Sequence, residues 1–257
     1  MLVALAATCG LVAACGGSST PTTPSTPGTT PTVNACGVVG GASTAGLAIL
    51  NGSTCNSANS PVVLLVLRDS SGASIGTCSG TVIAKRAVLT AAHCLKSPAA
   101  AVTMSFGTTV AIHSTSFTSH PAYRGDTDPT SIDIGVVFGD ADFPQTPATL
   151  LVSRNAVSGE PAVIAGWGLP TTQQLNAATT TITSVTALAL QTTSGVCYGD
   201  SGGPILLSQG GVWAVAGVTS AFNGNSCSTG TNIFVNLANA SANSFVFGLV
   251  PTAAPGK

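Results

Sequence analysis

What most constrains this chain is the rhythm of its apolar residues. From about residue 60 onward, short runs rich in Val, Ile, Thr and Leu are broken by Gly, Asn, Ser and Pro. The clearest runs cover 62–67, 80–84, 88–90, 132–138, 162–167, 179–190, 205–207, 213–219 and 233–237. None carries a 3.6-residue apolar stripe, and β-branched residues suit the pleated surface of a sheet. Only 237–247 fits a short helix. Many strands with turn signals between them, and no interleaved helices, predict an all-β sandwich or barrel. The chain has 257 residues, enough to bury a sizeable core.

Seven Lys and Arg against eight Asp and Glu leave a formal net charge of −1. So few cations cannot hold the phosphates of a nucleic acid by counterion release, which removes nucleic acid as a partner. Disorder of the whole chain is excluded by a hydrophobic fraction of 44%. No apolar run reaches the roughly 18 residues that a spanning helix needs.

Residues 2–14 are almost all apolar, the length of a secretory core segment and too short for a span. Val12-Ala13-Ala14-Cys15 resembles the lipobox of bacterial lipoproteins, in which the Cys is acylated and becomes the mature N-terminus. The match departs from the usual pattern in one respect, because no Lys or Arg precedes the apolar stretch. Residues 16–32 are Gly, Ser, Thr and Pro only. They predict a semi-extended spacer of roughly 50 Å, at about 3 Å per residue, between a lipid on Cys15 and a folded domain. The chain is therefore expected to be exported and lipid-anchored, facing the periplasm or the cell surface, or secreted if Cys15 carries no lipid.

Of eight cysteines, Cys9 falls in the signal and Cys15 in the lipobox. Cys36, Cys55, Cys78, Cys94, Cys197 and Cys227 remain. An even number in an exported chain implies three disulfides, with fifteen possible connectivities. No CxxC pair exists, so no structural zinc site and no cofactor is expected.

Three segments carry chemistry: Thr90-Ala91-Ala92-His93-Cys94, Ser131-Ile132-Asp133-Ile134-Gly135-Val136 and Gly199-Asp200-Ser201-Gly202-Gly203-Pro204. A serine hydroxyl becomes a nucleophile when an imidazole takes its proton, and the imidazole needs a carboxylate to fix its tautomer. Glycines around the serine let successive N–H groups point at a developing oxyanion. Gly199-x-Ser201-x-Gly203 also fits the elbow of α/β-hydrolases, whose histidine follows the serine. Here His93, His113 and His120 all precede Ser201, which excludes that fold. Asp126 and Asp128 could compete with Asp133, but their polar loop predicts solvated carboxylates. His113 and His120, seven residues apart, predict ordinary surface or strand positions rather than a metal pair.

These three segments, in this order, resemble the signatures of the chymotrypsin/trypsin-type serine proteases. Cys78-Ser79-Gly80-Thr81-Val82-Ile83, His120-Pro121-Ala122-Tyr123 and Gly166-Trp167-Gly168 match as well, and the resemblance spans about residues 49–247. It implies two six-stranded antiparallel β-barrels, with a short C-terminal helix and the site between the barrels. It implies His93 as general base, Asp133 as its orienting carboxylate, Ser201 as nucleophile, and the N–H groups of Gly199 and Ser201 as oxyanion hole. The resemblance also pairs Cys78 with Cys94 and Cys197 with Cys227, which leaves Cys36 and Cys55 to each other.

In this family the pocket for P1, the residue whose carbonyl is attacked, has its floor six residues before the nucleophile. That is Gly195, with Val196 beside it and Tyr198 at the rim. Ser220, Ala221, Phe222 and the region of Asn232 form the facing wall. No carboxylate stands there to hold Lys or Arg, and Phe222 narrows the space, so small or medium uncharged P1 residues are expected. The family matures when cleavage frees an apolar N-terminus that buries against the Asp before the nucleophile, here Asp200. Val38-Val39-Gly40-Gly41 and Ile49-Leu50-Asn51-Gly52 both resemble that start. Ile49, nearer to Cys78, fits the family spacing better.

The expected organisation is a signal over 1–14, a linker from Cys15 to 35, a propeptide-like segment over 36–48, a protease domain over 49–250 divided near 150, and a tail over 251–257. The expected partners are protein or peptide substrates, and the membrane through the lipid alone, for a monomer. The rival reading is a catalytically silent copy of the fold serving as a binding or adhesion lipoprotein.

Overall fold

The computed structural model describes residues 33–256 apart from 42, 49–51, 109, 126–127, 129, 170–173 and 194, and gives the backbone alone for 43–48 and 225. The apolar start, Cys15, the linker to Thr32, Ile49 and Asp126 lie outside the described residues. A four-residue helix, α1 (Ala35–Val38), precedes a hairpin of β1 (Ser43–Ala48) and β2 (Gly52–Cys55). Seven strands then share a sheet: β3 (Val62–Arg68), β4 (Ser74–Ala84), β5 (Ala87–Thr90), β6 (Ala101–Ser105), β7 (Ala111–Ser114), β8 (Ser116–Ser119) and β9 (Gly135–Phe138). Their order is β7-β6-β3-β4-β5-β9-β8. A single residue separates β7 from β8, so the chain itself joins the two ends and closes six strand-lengths into a barrel.

The second sheet holds β10 (Pro161–Gly166), β11 (Leu175–Val185), β12 (Ala189–Thr193), β13 (Pro204–Gln209), β14 (Val212–Ser226) and β15 (Thr229–Asn236). Its order is β1-β2-β11-β10-β13-β14-β15-β12, and β11 also pairs with β12. That last pairing closes six strands into a second barrel, to which β2 and β1 are appended. Every ladder is antiparallel. With the C-terminal helix α2 (Ala240–Leu249), this is the two-barrel architecture expected.

Strands β1, β2 and β6–β8 fall outside the expected runs, and β4, β14 and β15 are longer than expected; three further differences have a local hydrogen-bonding cause. The run 179–190 is interrupted, because Thr186 Oγ1 accepts the N–H groups of Leu188 and Ala189 and closes a turn that no Gly or Pro announces. The run 132–138 becomes a strand only at Gly135, since Ile134 donates to the carbonyl of Ile132 in a local turn. The helix starts three residues late. Leu237 still bonds to Ala216 of β14, and Asn239 caps α2 by accepting the N–H groups of Ser241 and Ala242.

The interior of the second barrel is a cluster that includes Ile164, Ile182, Leu190, Val196, Ile205 and Phe234. A larger cluster fills the first barrel with Leu65, Ile83, Leu89 and Met104, and continues through Trp167, Val215 and Val235 of the second. Trp167 crosses from one to the other, its Nε1–H donating to the Val62 carbonyl at 3.2 Å. This continuous packing holds the barrels in the one arrangement that brings loops from both to a common cleft. The structure pairs Cys78 with Cys94, Cys197 with Cys227, and Cys36 with Cys55. Closing loops of 16 to 30 residues, each contributes on the order of 3 kcal/mol.

Candidate active site

His93 sits in a 3-10 turn, Ala92–Leu95, that follows β5 directly. The Cys78–Cys94 bridge ties this turn to β4. Asp133, 3% exposed, precedes β9, which pairs with β5, so the sheet register sets the two side chains side by side. One carboxylate oxygen accepts the His93 backbone N–H at 2.8 Å. The other meets His93 Nδ1 at 2.7 Å and accepts the Ser220 hydroxyl at 2.7 Å. Three donors on one buried carboxylate fix its position, and because an ionised carboxylate only accepts, Nδ1 is the ring nitrogen that donates to it and Nε2 is the one turned away.

Ser201 comes from the other barrel, in the loop between β12 and β13. Its carbonyl accepts the Ser79 N–H at 2.7 Å, which staples the loop to β4. His93 and Ser201 line one cleft of about 420 Å³, together with Thr77, Gly199 and the apolar faces of Leu67, Leu169 and Tyr198. Among the described residues no hydrogen bond joins Ser201 Oγ to His93 Nε2. Bonds of this type commonly tighten only around a bound substrate.

The loop itself depends on two glycines. Gly199 has φ +96°, and a Cβ there would stand 2.9 Å from Gly168 Cα. Gly202 has φ +83°, and its Cβ would run into Thr90 Oγ1 and the Ser79 carbonyl. The N–H groups of Asp200, Gly202 and Gly203 are spent on Cys197, Thr219 and Asp200 carbonyls, respectively. Those of Gly199 and Ser201 donate to no protein acceptor among the described residues.

Asp200 is fully buried between barrel and loop. Its oxygens accept the N–H groups of Gly168 and Cys197, each at 2.8 Å. Burial nevertheless dominates and pushes its pKa up to about 7, with those two N–H groups pulling the other way. No cationic side chain pairs with it among the described residues.

The residues expected around P1 divide into two groups. Gly195 and Val196 are buried, Val196 within the barrel interior, and Phe222 packs against the same cluster. Tyr198, 70% exposed, meets the Phe222 ring edge-on at 5.5 Å. Asn232, opposite Phe222 in the β14–β15 register, is buried. Ser220 and Ala221 instead face a separate cavity of about 250 Å³ bounded by Asp128, Asp133, Leu188 and Ile233. Ser220 thus serves Asp133 as well as bordering the wall, a role its place in the sequence did not announce.

Asp128 does not reach His93. Its Oδ1 accepts the N–H and hydroxyl of Thr130, which hold its carboxyl below the usual range. His113 is exposed on β7. His120 corrects the expectation of an ordinary surface or strand position, for it lies just past the end of β8 and is buried against the Phe245 ring at 4.9 Å. Its Nδ1 accepts the Ala122 N–H and its Nε2 meets Ser241 of α2, so it ties the loop ahead of Asp133 to the C-terminal helix. Cys78, His93 and Cys94 bring their ligand atoms within 4.8 Å, but both sulfurs are spent in a disulfide and hold no metal as thiolates.

Sequence reasoning missed Ser79. Wholly buried, it donates from Oγ to the Gly199 carbonyl at 2.8 Å, accepts the Trp167 N–H at 2.9 Å, and takes the Thr90 hydroxyl on its carbonyl. It stands beside Cys78 in a matched motif, yet a buried serine on a strand carries no distinctive pattern.

Two closed antiparallel barrels meeting at such a cleft define a class, the chymotrypsin-fold serine endopeptidases, and this protein is one. The sequence profile of the family Trypsin matches residues 49–245, and the chain belongs to that family. It is 28% identical to trypsin delta of Drosophila melanogaster over 195 residues, 63% of this chain and 75% of that one. It is 29% identical to a chymotrypsin of Phaedon cochleariae over 198 residues, 63% of this chain and 70% of that one. Among solved structures it resembles HL collagenase, with a TM-score of 0.68 at 20% identity, covering 79% of this chain and 99% of the other. It also resembles human heparin binding protein, with a TM-score of 0.57 at 21% identity, covering 76% and 93%. Three disulfides suit an oxidising, extracytoplasmic setting.

Proposed function

We propose that His93, Asp133 and Ser201 form a catalytic triad that hydrolyses peptide bonds through an acyl-enzyme. Ser201 Oγ attacks the scissile carbonyl while its proton passes to His93 Nε2. Asp133 keeps the Nδ1 proton and offsets the imidazolium charge. The N–H groups of Gly199 and Ser201 receive the oxyanion. His93 then gives its proton to the leaving nitrogen as the C–N bond breaks, and an ester remains on Ser201. Water, deprotonated by the same imidazole, hydrolyses the ester and restores the serine. The observation that carries this reading is the double contact of Asp133 with His93, which leaves Nε2 as the free ring nitrogen beside the cleft that Ser201 shares.

The P1 pocket in this reading is formed by Gly195, Val196, Phe222 and Asn232, with Tyr198 at its rim. It takes small or medium uncharged side chains, because Phe222 fills space and no carboxylate pairs with Lys or Arg. The enzyme is made as a zymogen. Cleavage after Ala48, where β1 ends, frees the ammonium of Ile49 to pair with Asp200, whose buried and unpaired carboxyl is costly without it. Cys15 and the Pro-rich linker hold the monomer at the membrane, and no nucleic acid is involved.

Labelling with a fluorophosphonate tests the chemistry, on residues 33–257 before and after limited proteolysis, with Ser201→Ala as control. Labelling that requires processing near Ile49 and is lost in the variant is the expected result. A cleaved, oxidised protein that does not label refutes the triad reading and favours a silent binding protein.

A further inference from the structure

A buried polar atom without a protein partner has given up its bond to water and received nothing in return, so such atoms are few in native proteins. Among the described residues three side chains carry one: Gln145 Oε1, Thr219 Oγ1 and Asn232 Oδ1. Two of these lie in the same part of the fold. The β14–β15 register sets Asn232 opposite Phe222 and Thr219 opposite Phe234. Directly paired residues point to one face of a sheet. That face is the barrel interior, because Phe234 belongs to the interior cluster with Val196 and Phe222 packs against it. Thr219 and Asn232 therefore bring two unpaired oxygens to the inner side of the wall that Phe222 and Val196 bound.

The Asn232 amide has one orientation. Its Nδ2 donates to Thr192 Oγ1 at 3.0 Å and to the Thr193 carbonyl at 2.7 Å, and a carbonyl accepts only from the nitrogen. Oδ1 is thereby held in place as an acceptor, 1% exposed as a residue and neutral.

We propose that Asn232 Oδ1 and the Thr219 hydroxyl read the P1 side chain, so that the enzyme cleaves preferentially after short neutral residues bearing a hydrogen-bond donor: serine, threonine and asparagine. This rests on the assignment of the P1 pocket to Gly195, Val196, Phe222 and Asn232. A threonine hydroxyl donates to Oδ1 and accepts from Thr219, whereas valine, of the same shape, leaves both oxygens unpaired. Sites built to hydrogen-bond a substrate group discriminate against the isostere that lacks it far more strongly than apolar pockets discriminate by size. A charged P1 residue finds no counter-charge at Gly195, and a large one meets Phe222.

The test is kcat/KM of the activated enzyme on peptides that differ only at P1, in pairs matched for shape: Thr against Val, and Asn against Leu, with Ala, Phe and Lys as references. Thr is expected to exceed Val by tenfold or more, and Asn to exceed Leu similarly. In Asn232→Leu and in Thr219→Val the Thr-to-Val ratio falls towards one. Asn232→Leu also loses the bonds to Thr192 and Thr193, so Thr219→Val, which removes only an unpaired hydroxyl, keeps the test open if the first variant does not fold. Equal cleavage after Thr and Val, with both above Phe and Lys, overturns the inference and leaves the small-P1 reading intact. So does a ratio unchanged in both variants. Indifference to P1 size across the whole series overturns the pocket assignment itself.

Discussion

Replacing Ser79 by alanine tests how the first barrel holds the Ser201 loop of the second. The substitution removes one hydroxyl and strands two partners, the Trp167 N–H and the Gly199 carbonyl. Leaving a buried polar group unpaired costs about 1–3 kcal/mol. Trp167 is buried and Gly199 half-exposed, so the sum falls near 3 kcal/mol. At about 2–4 °C per kcal/mol for a domain of this size, Tm should drop by roughly 6–12 °C. Activity should fall separately. Gly199 is held on one side by Ser79 and on the other by the Leu169 N–H on the Tyr198 carbonyl at 3.0 Å. Losing an anchor worth about 1 kcal/mol frees the Gly199–Asp200 peptide, and with it the backbone torsions of Gly199 that set where its N–H points in the proposed oxyanion hole. About a tenfold loss in kcat is expected, with KM little changed, because the oxyanion develops only in the transition state. Steady-state kinetics on a peptide substrate and thermal unfolding of the same preparation give both numbers. A kcat within twofold of wild type, at the predicted loss of Tm, would refute the positioning role and leave Ser79 a purely structural residue.

Ser220→Ala removes one of three donors to the Asp133 carboxylate. A hydrogen bond to a charged group contributes about 1.5–3 kcal/mol, so kcat should fall roughly tenfold or more, while Ser220→Thr, which keeps the hydroxyl, should recover most of it. His120 is held below its ordinary pKa by burial, against a weaker opposing pull from the Ser241 carbonyl. Its contribution to stability is therefore full above about pH 6.5 and is lost as pH falls through the folded value. The stability difference between wild type and His120→Asn, read from urea midpoints, should shrink between pH 7.5 and 5; a constant difference contradicts the assignment. Cleavage between Ala48 and Ile49 should leave the N-terminal fragment attached, because Cys36 is bridged to Cys55 and both Cys36 and Val39 are buried in the core. The cut protein should run as one chain on a non-reducing gel and as two after reduction; two bands without reductant would rule out that bridge.

The sequence alone determined the all-β class and most of the strands, though not β1, β2 or β6–β8, together with the chain order of His93, Asp133 and Ser201 and the family. β-branched runs bury best as strands, and the proposed acyl transfer uses a serine, an imidazole and a carboxylate with glycines around the nucleophile. Barrel closure was not legible, because it depends on β7 running into β8 and on β11 pairing with β12 across distant segments. The turn at Thr186 went unread because a hydroxyl, not a Gly or Pro, closes it. The supporting shell was likewise hidden: Ser79, Ser220 and His120 are common residue types whose roles arise only when strands far apart in sequence bring a carbonyl, a carboxylate or a helix to meet them. The sequence thus points to the groups that react in the proposed mechanism. The tertiary structure decides which groups hold them, since hydrogen bonds between barrels follow from three-dimensional register and leave no periodic trace along the chain.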